Sequence, residues 1–506
     1  MASQTDGKTF RLYDTLTKQV KPLETLEPGV LTFYSCGPTV YSYAHIGNFR
    51  TFLTADLIVR TAEALGWTVK YVSNITDVGH LTEDDVADAS GEDKMAKALK
   101  SKEGQSFANI WDLAEHYSRA LEEDWNRLNL RQPMVRPRAT QHMAEQIRAI
   151  EDLQQSGHAY STDSAVYFDL STFPRRGELS GNRDDDSLQV GVRDVVQDRS
   201  KRHPFDFALW KRDDRHLMQW YSPWGWGFPG WHIECSVMAM KYLGETIDLH
   251  AGGEDLVFPH HECEIAQSES LTGKPFANHW IHTRFLQVEG KKMSKSEGNY
   301  FTVRGLIDER GVDPPALRYA LISVPYGKPL NFTLQSLKDA AAAVQRYRRC
   351  DELSQESTDE TEDPEVSGYL NDLYDEALEA MCNDLNTSVA LAKAFEGTRV
   401  ILKAADGSKG GWARPARLFL DRIDALLGIV RPNPDALTPA EKEGAAEDFG
   451  WIEDAIAARA EAKKGKDFTR ADAIRQELWD KGIELQDTVD GTKWQRRLMP
   501  IEAESQ

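Results

Sequence analysis

The sequence predicts an α/β protein built on a parallel β-sheet. A short β-rich segment, Leu31–Cys36, ends in a Gly-Pro turn. Apolar residues then recur at helical spacing from Ile46 to Leu65, and Thr68–Ile75 is a second segment rich in Val and Tyr. Strand, turn, helix and strand make a βαβ unit, which implies parallel pairing with ligands at the carboxyl ends of the strands.

The middle of the chain reads as an insertion into this sheet. Residues 84–100 are charged and predict a loop, and residues 104–157 have the spacing of amphipathic helices. Residues 158–225 contain short strands, Asp-rich turns and many Trp residues. The α/β character returns within residues 233–270, which predicts a sheet that is completed after the insertion.

The second half of the chain is predominantly helical by its spacing. Residues 313–350 and 367–430 have long amphipathic patterns. Between them, the first fifteen residues of the segment 351–366 hold eight acids and no base, which predicts a solvated linker. Residues 431–449 contain Pro and acids and predict a second linker. The last sixty residues predict a helix pair at about 450–481 and a short strand-like tail.

Bulk composition restricts the class of protein. The chain has 506 residues, 41% of them apolar, with short apolar runs that predict no transmembrane helix. The first eight residues lack the apolar stretch of a signal peptide, so we expect a cytoplasmic protein. Five cysteines in a chain of this length do not make a disulfide framework, so the thiols are expected to be free or bound to metal.

The charge balance is strongly acidic. There are 81 acidic and 60 basic residues, giving a net charge of −21. A salt-rich cytoplasm would screen this repulsion, and an ordinary acidic enzyme is the alternative; we favour the first interpretation. In either case the net charge argues against a chain that coats nucleic acid. A nucleic-acid partner would require local basic patches.

The segment His45-Ile46-Gly47-Asn48 is a candidate phosphate site. It lies where the turn after the first strand enters the helix, and backbone amides at a helix N-terminus attract anions. His45 can donate hydrogen bonds to phosphate oxygens, and Gly47 removes a side chain where a nucleotide would approach. Taken alone, the pattern is weak and is more often a helix cap.

A second segment, Lys292-Met293-Ser294-Lys295-Ser296, adds weight to that interpretation. It lies in a loop rich in Gly and Lys, Glu289–Gly298, after the strand-like Thr283–Val288. Two lysines on such a loop can neutralise a triphosphate and its leaving pyrophosphate. Together and in this order, the two segments resemble the signature pair of class I aminoacyl-tRNA synthetases.

Several residues could bind a soft metal ion. If a helix starts at Pro259, His260 and Glu264 are i and i+4 on one face. With Cys36 and Cys235 they supply two sulfurs, a nitrogen and an oxygen, a set that zinc accepts. Cys263, three residues from His260, is a rival for the fourth position, and two free thiols 199 residues apart are the alternative explanation.

Over nearly its whole length the chain resembles the cysteinyl-tRNA synthetase family. The resemblance rests on specific blocks, which are Tyr34–Tyr41, His45–Asn48, Asn74–Asp77, Asp206–Lys211, Pro229–Ser236, Phe258–Glu262 with Glu264, Lys292–Ser296, Ala471–Arg475 and Gly482-Ile483. It implies a class I synthetase fold in five parts: the two halves of a Rossmann-type catalytic domain (1–85 and 226–312), an inserted connective domain (86–225), a helical bundle (313–445) and an anticodon-binding domain (446–506).

The resemblance also implies the site residues. It assigns zinc to Cys36, Cys235, His260 and Glu264, which favours Glu264 over Cys263. It assigns catalysis and ATP phosphate binding to His45, Asn48, Lys292 and Lys295, and further ATP contacts to Gly252, Gly253 and Asp255. The expected cysteine-binding residues are Thr76, Trp231, His250 and Asp255, and Mg²⁺ is expected to arrive with ATP.

Three departures from the family pattern bear on these assignments. Asn48 stands where the family often has His; it can donate to a phosphate but cannot carry charge. Ala251 stands where Gly is usual, and its methyl group is expected to crowd the adenosine slightly. After Asp77 the chain runs Val-Gly-His-Leu in place of an acid-rich segment, so no residue roles are transferred beyond Asp77.

The expected partners are ATP, L-cysteine and tRNA(Cys), with no membrane and a monomeric chain. Residues 451–497 hold ten acids and ten bases, a neutral segment on an acidic chain where a polyanion could bind. The expected tRNA contacts are Lys463, Lys464, Lys466, Arg470, Asp472 and Asp487. Two alternatives remain: a ligase that joins cysteine to an amino sugar, which resembles the same core without the C-terminal domain, and a catalytically silent tRNA-binding relative.

Overall fold

The structure of the protein is a computed structural model. It describes residues 7–79, 93–182, 200–213, 216–294, 298–407, 410–436, 450–465, 467–480, 483–488 and 491–496. In chain order the strands are β1 (Arg11–Asp14), β2 (Gln19–Pro22), β3 (Val30–Ser35), β4 (Thr68–Ser73), β5 (Ala159–Ser161), β6 (Ala165–Phe168), β7 (Phe207–Lys211), β8 (Trp220–Ser222), β9 (Gly225–Pro229), β10 (Leu249–Gly253), β11 (Trp280–Thr283), β12 (Leu286–Val288), β13 (Lys291–Lys292), β14 (Leu330–Phe332), β15 (Ile483–Thr488) and β16 (Gly491–Arg496).

The α-helices are likewise numbered along the chain. They are α1 (Ile46–Ala64), α2 (Lys94–Lys100), α3 (Ile110–Arg127), α4 (Met143–Gln155), α5 (Trp231–Leu243), α6 (Glu262–Thr272), α7 (Pro314–Ile322), α8 (Leu334–Glu356), α9 (Pro364–Cys382), α10 (Thr387–Asp406), α11 (Ala413–Leu427), α12 (Gly450–Lys464) and α13 (Phe468–Asp480). Among the described residues, none of the helices combines the length and the apolarity that crossing a bilayer requires.

The α/β prediction is confirmed by a four-stranded sheet in the order β11-β10-β3-β4. All three pairings in it are parallel. From β3 the chain passes through α1 to β4 on one side, and it returns only later to β10 on the other side. The carboxyl ends of β3 and β10 therefore flank a topological switch point, where α/β proteins bind their ligands.

Alternating side chains on β3 separate two hydrophobic cores. Phe33 is buried with the apolar residues of α1, whereas Tyr34 and Cys36 belong to a second core on the opposite face. The same alternation places Ala251 in the α1 core and leaves its neighbour His250 on the other face. Consecutive side chains on β3 and on β10 therefore point to opposite faces of the sheet.

The predicted insertion contains a five-stranded antiparallel sheet in the order β5-β6-β7-β9-β8. Its last strand ends at Pro229, beyond the expected domain boundary at 225. The prediction of a loop over 84–100 is wrong at its end, because residues 94–100 form α2. Asp93 caps this helix and Met95 is buried beneath it. The rest of that prediction, residues 84–92, lies outside the described part of the chain.

Helices α7 to α11 form the helical bundle. The expected acidic linker over 351–366 is shorter than predicted, since α8 continues to Glu356 and α9 begins at Pro364. Basic residues from the far end of the bundle compensate the acids: Arg431 contacts both carboxylate oxygens of Asp351 at 2.5 and 2.9 Å. The prediction was wrong because it considered only charges close together in sequence, whereas Arg431, the partner of Asp351, lies eighty residues away.

A buried ionic network joins the bundle to α1. Arg60 Nε lies 2.8 Å from Asp56 Oδ2, and Arg318 of α7 contacts the same oxygen. The guanidinium groups also donate to the carbonyls of Ala425 and Leu427 at the end of α11, at 2.8 and 2.7 Å. Burial opposes ionisation of Asp56, yet Arg318 and Arg60 lower its pKa.

Candidate metal and nucleotide site

Four potential metal ligands meet at the carboxyl end of β3. Cys36 follows β3 directly, Cys235 lies in the first turns of α5, and His260 and Glu264 flank the start of α6. The α-helix begins at Glu262 instead of Pro259, after an irregular turn over Val257–His261. The two side chains still share a face, with His260 Nε2 3.0 Å from Glu264 Oε1.

The ligand atoms lie within 4.8 Å of one another. Cys36 Sγ is 3.8 Å from Cys235 Sγ and 3.5 Å from Glu264 Oε1. All four side chains are at most 5% exposed. Such a convergence of two sulfurs, a nitrogen and a carboxylate oxygen matches the ligand number and type of a four-coordinate zinc site.

The electrostatics of the cluster also favour a cation. Burial, Cys235 and Glu264 raise the pKa of the Cys36 thiol well above its ordinary value, whereas the contact with Cys36 lowers the pKa of Cys235 to about 7. Burial opposes the charge on Glu264, but His250 and His260 lower its pKa to about 2. Cys36, Cys235 and Glu264, which must be deprotonated to bind a metal, are thus packed together, and a divalent cation would stabilise their charged forms.

Further imidazoles surround this cluster. His250 Nε2 lies 2.9 Å from Glu264 Oε2, and His261 Nε2 lies 3.4 Å from Cys36 Sγ. His261 in turn contacts His282, whose other ring nitrogen contacts Thr15 Oγ1, both at 2.8 Å. Cys36, His250, His261 and Glu264 therefore form a second possible ligand set, overlapping the first at Cys36 and Glu264.

Cys263 is not part of either ligand set among the described residues. It lies on α6 beside Glu264 but lines a separate small cavity with Phe205, Phe207 and Phe258. Burial raises the pKa of its thiol well above the ordinary value. A buried thiol against aromatic rings is the environment of an apolar side chain.

The proposed phosphate site is a capping box at the start of α1. His45 Nδ1 accepts the backbone N–H of Asn48, and Asn48 Oδ1 accepts the backbone N–H of His45, both at 3.1 Å. Because Nδ1 is an acceptor, the neutral ring carries its proton on Nε2. The helix-cap and phosphate interpretations are therefore compatible, since the cap orients the groups that can donate into the cleft.

Met293 of the lysine-rich loop, and Tyr300 and Phe301 just after the loop, lie against this helix start. The backbone N–H of Ile46 donates to Phe301 at 2.9 Å, and the ring of Tyr300 lies edge-on to His45 with centroids 5.4 Å apart. A Cβ atom at Gly47 would come within 2.9 Å of the His45 ring and 3.4 Å of Met293 Cε. Lys292 is exposed on β13, and Lys295 lies outside the described residues.

An open cleft with a volume of about 470 Å³ adjoins both sites. Cys36, His45, Asn48, Trp231 and Asp255 line it, together with Gly253. At Gly252 a Cβ would lie 2.7 Å from the His261 ring, and at Gly253 one would lie 2.3 Å from Asp255. Ala251 is 4% exposed and its methyl group packs in the α1 core, so the expected crowding of adenosine is wrong.

The residues expected to bind cysteine differ in their position relative to the cleft: some line its surface and others are buried behind it. Trp231 faces the cleft, and its ring lies over that of His260 with centroids 4.3 Å apart. Thr76 is buried, and its Oγ1 lies 3.3 Å from Glu234 Oε2 and accepts from the Asn74 amide at 3.2 Å. His250 is fully buried between Glu264 and Trp280, which argues against direct contact with a substrate.

Sequence reasoning missed several residues of this region. Asn74 accepts the backbone N–H of Gly37 at 2.8 Å and lies 3.8 Å from Cys235 Sγ. His232 contacts His260 through the Nδ1 atoms at 3.0 Å, and Gln267 fixes the carbonyl of His232. Both Asn74 and His232 fall inside motifs that the sequence did single out, but only the fold shows that they support the ligands.

The C-terminal residues expected to contact tRNA lie on a helix pair and a hairpin. Lys463 and Lys464 are exposed in the last turn of α12, and Arg470 and Asp472 are exposed on α13. Asp487 belongs to β15, which pairs with β16 in antiparallel fashion. Lys466 lies outside the described part of the chain.

Comparison with known proteins defines the class first. Residues 22–342 match the family model for the tRNA synthetases class I (C) catalytic domain, so the chain is a member of the class I aminoacyl-tRNA synthetases. Methionyl-tRNA synthetase of Mycobacterium tuberculosis bound to methionyl-adenylate shares the fold, with a TM-score of 0.58 and 14% identity over 83% of this chain and 96% of that one.

Relatives that match nearly the full length of the chain then identify the family within this class. The "Cysteine--tRNA ligase" of Salinibacter ruber is 54% identical over 97% of this chain and 98% of its own length. Those of Chlorobaculum tepidum and Solibacter usitatus are 39% and 42% identical, over 97% and 96% of this chain and 99% and 100% of theirs. The chain belongs to the cysteine–tRNA ligase family.

Proposed function

We propose that the protein activates L-cysteine with ATP and transfers it to the 3′ end of tRNA(Cys). In the first step a carboxylate oxygen of cysteine attacks the α-phosphorus of ATP, giving cysteinyl-adenylate and pyrophosphate. In the second, a terminal ribose hydroxyl attacks the acyl carbon and AMP leaves. The observation that carries the proposal is the convergence of a thiol-rich ligand set and a capped helix N-terminus on one cleft.

The chain's contribution to the first step is positioning and charge stabilisation. The capping box turns His45 Nε2–H and the amide nitrogen of Asn48 into donors for phosphate oxygens. An amide suffices at residue 48 for this purpose, because its oxygen is engaged by the cap and its nitrogen donates. Lys292 and Lys295 would neutralise the β- and γ-phosphates together with Mg²⁺ bound to ATP.

Adenosine would lie along the carboxyl end of β10. At Gly252 and Gly253 the close approach of His261 and Asp255 excludes side chains, which keeps the backbone accessible to a flat ring. Asp255 lines the cleft and can accept from a ribose hydroxyl or from the amino group of the substrate cysteine.

Zinc would be held by Cys36, Cys235, His260 and Glu264. When bound, it supplies a soft Lewis-acidic position that prefers a thiolate over a hydroxyl or a methyl group. A hydrophobic pocket alone separates near-isosteres by only about 10²-fold. The chain's own role is to hold the ligands in place, with Trp231 packed against the His260 ring and Asn74 beside Cys235.

The tRNA would be bound in part by the C-terminal segment. Lys463, Lys464 and Arg470 lie on the two helices of a neutral region in a chain of net charge −21, and Lys466 lies between them in sequence. Asp472 and Asp487 could accept from base edges of an anticodon. Relatives that match almost the full length of the chain support a tRNA substrate over an amino sugar.

The test is aminoacylation with labelled cysteine and a tRNA(Cys) transcript. Serine in place of cysteine and an amino sugar in place of tRNA are the controls. We expect cysteine on tRNA only. Transfer of cysteine to the amino sugar, or cysteine activation without any charging of tRNA, would contradict the proposal.

A further inference from the structure

The residues that follow the lysine-rich loop pair with the start of α1. Thr302 forms an antiparallel bridge with His45, and the ring of Tyr300 lies edge-on to the His45 ring. The Tyr300 hydroxyl donates to the backbone carbonyl of Tyr43 at 3.4 Å. The imidazole that the proposed chemistry directs at phosphate therefore lies between two short segments, 43–45 and 300–302. The position of these two segments sets the direction of the His45 ring.

Arg304 connects both segments to helix α3 of the insertion. Its guanidinium carbon lies 4.5 Å from the centroid of the Tyr43 ring, within the range of a cation–π interaction. Its Nε lies 3.2 Å from Asp124 Oδ2. Its Nη2 donates to the carbonyl of Ala120 at 2.8 Å and contacts Glu123 Oε2 at 3.2 Å. Because Ala120, Glu123 and Asp124 belong to α3, one side chain joins three parts of the chain that are distant in sequence.

The Tyr43 ring lies where these elements meet. It lines the cleft, and its hydroxyl lies 3.0 Å from Nε2 of His116 on α3. It also packs edge-on against Tyr117 of the same helix, with ring centroids 5.0 Å apart. A planar guanidinium can stack on such a ring with one face while its edge donates to oxygens, which the ammonium group of a lysine cannot do. The contacts of Arg304 therefore require arginine.

Charge compensation of Asp124 is the alternative explanation for Arg304. The Asp124 side chain is only 1% exposed and needs a positive charge beside it. Arg127 supplies a second cation, 3.6 Å from Asp124 Oδ1, and also lies 2.9 Å from Asp308. Of the two arginines, Arg304 is the one that lies over Tyr43. The two explanations therefore predict different results when the charges of Arg304 and Asp124 are removed together.

We propose that Arg304 is a positioning residue for adenylate formation, which holds Tyr43 and the segment 300–302 so that the His45 ring faces the phosphates of ATP. This inference rests on the proposed function and adds a residue outside the two signature segments. Arg304 acts through Tyr43 and Tyr300 and not by contact with a substrate. Its effect should fall on the rate of the chemical step, because the oriented His45 stabilises the transition state more than the ground state.

The experiment uses four variants of the full-length chain: Arg304→Gln, Arg304→Lys, the double variant Arg304→Gln/Asp124→Asn and the control Arg127→Gln. The control removes the same charge from a residue that also pairs with Asp124. Each variant is assayed for cysteine-dependent ATP–pyrophosphate exchange, with kcat and the KM values for ATP and cysteine, for zinc content and for thermal unfolding.

We expect Arg304→Gln to lower kcat about tenfold or more, while both KM values and the zinc content stay within about twofold of the wild type. Arg304→Lys should recover only part of this loss, because lysine keeps a cation over the ring without the paired donors. The double variant should regain the melting temperature lost in Arg304→Gln but not its kcat. Arg127→Gln should keep kcat within about twofold.

Recovery of kcat in the double variant, or an equal loss of kcat in Arg127→Gln, would show that Arg304 only compensates charge and would overturn the inference. Wild-type kcat in Arg304→Gln would do the same. If Arg304→Gln does not fold, Arg304→Lys decides, and wild-type kcat in that variant contradicts a positioning role. Absence of cysteine-dependent exchange in the wild type would instead overturn the proposed function.

Discussion

Two buried polar clusters lie on opposite faces of the parallel sheet, and they differ in what completes them. Beneath α1, Asp56 is surrounded by Arg60, Arg318 and the backbone N–H of Arg131, which donates at 2.6 Å. On the other face, Cys36, Cys235 and Glu264 meet around His260. Both clusters are buried, and both bring together groups that are separated by hundreds of residues in sequence.

The network around Asp56 is complete within the chain, because two guanidinium groups supply the positive charge that the carboxylate and the helix-end carbonyls require. The cluster around Glu264 instead contains two thiols and a carboxylate, with imidazole as its only source of positive charge. The comparison teaches that burial alone does not mark a functional site. The informative feature is a set of four metal-ligand atoms, two of them thiol sulfurs, whose deprotonated forms a bound cation would stabilise.

The largest effect is expected from removing a sulfur. Cys235→Ser should abolish high-affinity metal binding and lower kcat/KM for cysteine-dependent ATP–pyrophosphate exchange by roughly 10³-fold, because a zinc site with three ligands and a weak hydroxyl is much less stable. Preference for cysteine over serine should fall to about 10² or less, the limit of a hydrophobic pocket. Exchange kinetics with both amino acids measure this.

Cys263→Ser is the matched control for that substitution. Cys263 is equally buried but lies outside both ligand sets. It should keep wild-type selectivity. If Cys235→Ser retains its preference for cysteine, or if Cys263→Ser loses it, the assignment of the ligand set is wrong.

The second prediction concerns the network on the opposite face. Asp56→Asn should lower the free energy of unfolding by about 3–5 kcal/mol, because it leaves two buried guanidinium groups without their counter-charge. Metal content should stay unchanged. Chemical denaturation measures the first effect, and elemental analysis measures the second.

This stability difference should also depend on pH in a defined sense. Arg318 and Arg60 lower the pKa of Asp56 in the folded state, against the effect of burial. The carboxylate therefore stabilises the fold above its unfolded pKa of about 3.9, and this contribution is lost as pH falls through the lower folded value. Between pH 5 and 8 the wild type and Asp56→Asn should differ by a constant amount. A difference that disappears within that window would contradict the ion-pair explanation.

A smaller effect is expected from His250, which lies behind Glu264. Its Nε2 contact at 2.9 Å orients the carboxylate, so His250→Asn should weaken zinc affinity by about 10- to 100-fold. Competition with a chromophoric chelator measures the affinity directly. His279→Asn is a suitable control, since His279 is buried nearby, directly before β11, but belongs to neither ligand set. Equal affinities in the wild type and His250→Asn would show that this histidine does not support the metal site.

The sequence could predict those parts of the fold that depend on local patterns. The βαβ unit, the short strands of the insertion and the long bundle helices all follow hydrophobic periodicity, whereas the antiparallel order of the inserted sheet was not predicted. The β1–β2 hairpin was not predicted, and the helix α8 was predicted to end earlier than it does. Asp351, near the end of α8, is paired with Arg431, which lies too far along the chain for a local sequence pattern to reveal the pairing.

The same distinction holds at the site. Motifs identified Cys36, Cys235, His260 and Glu264 as candidates, and the structure brings them together. The sequence could not show that His250 lies behind Glu264 or that Ala251 faces the opposite core, because both depend on the pleat of β10 and its register with β3. The network around Asp56 was missed entirely, since a buried arginine has no sequence signature.

The most direct test of the central claim is the zinc content of purified full-length protein, measured by elemental mass spectrometry after dialysis against a weak chelator. The wild type and Cys263→Ser should retain one zinc ion per chain, and Cys235→Ser should retain less than about a tenth of that. Zinc-free wild-type protein that still selects cysteine, or full zinc occupancy in Cys235→Ser, would contradict the account.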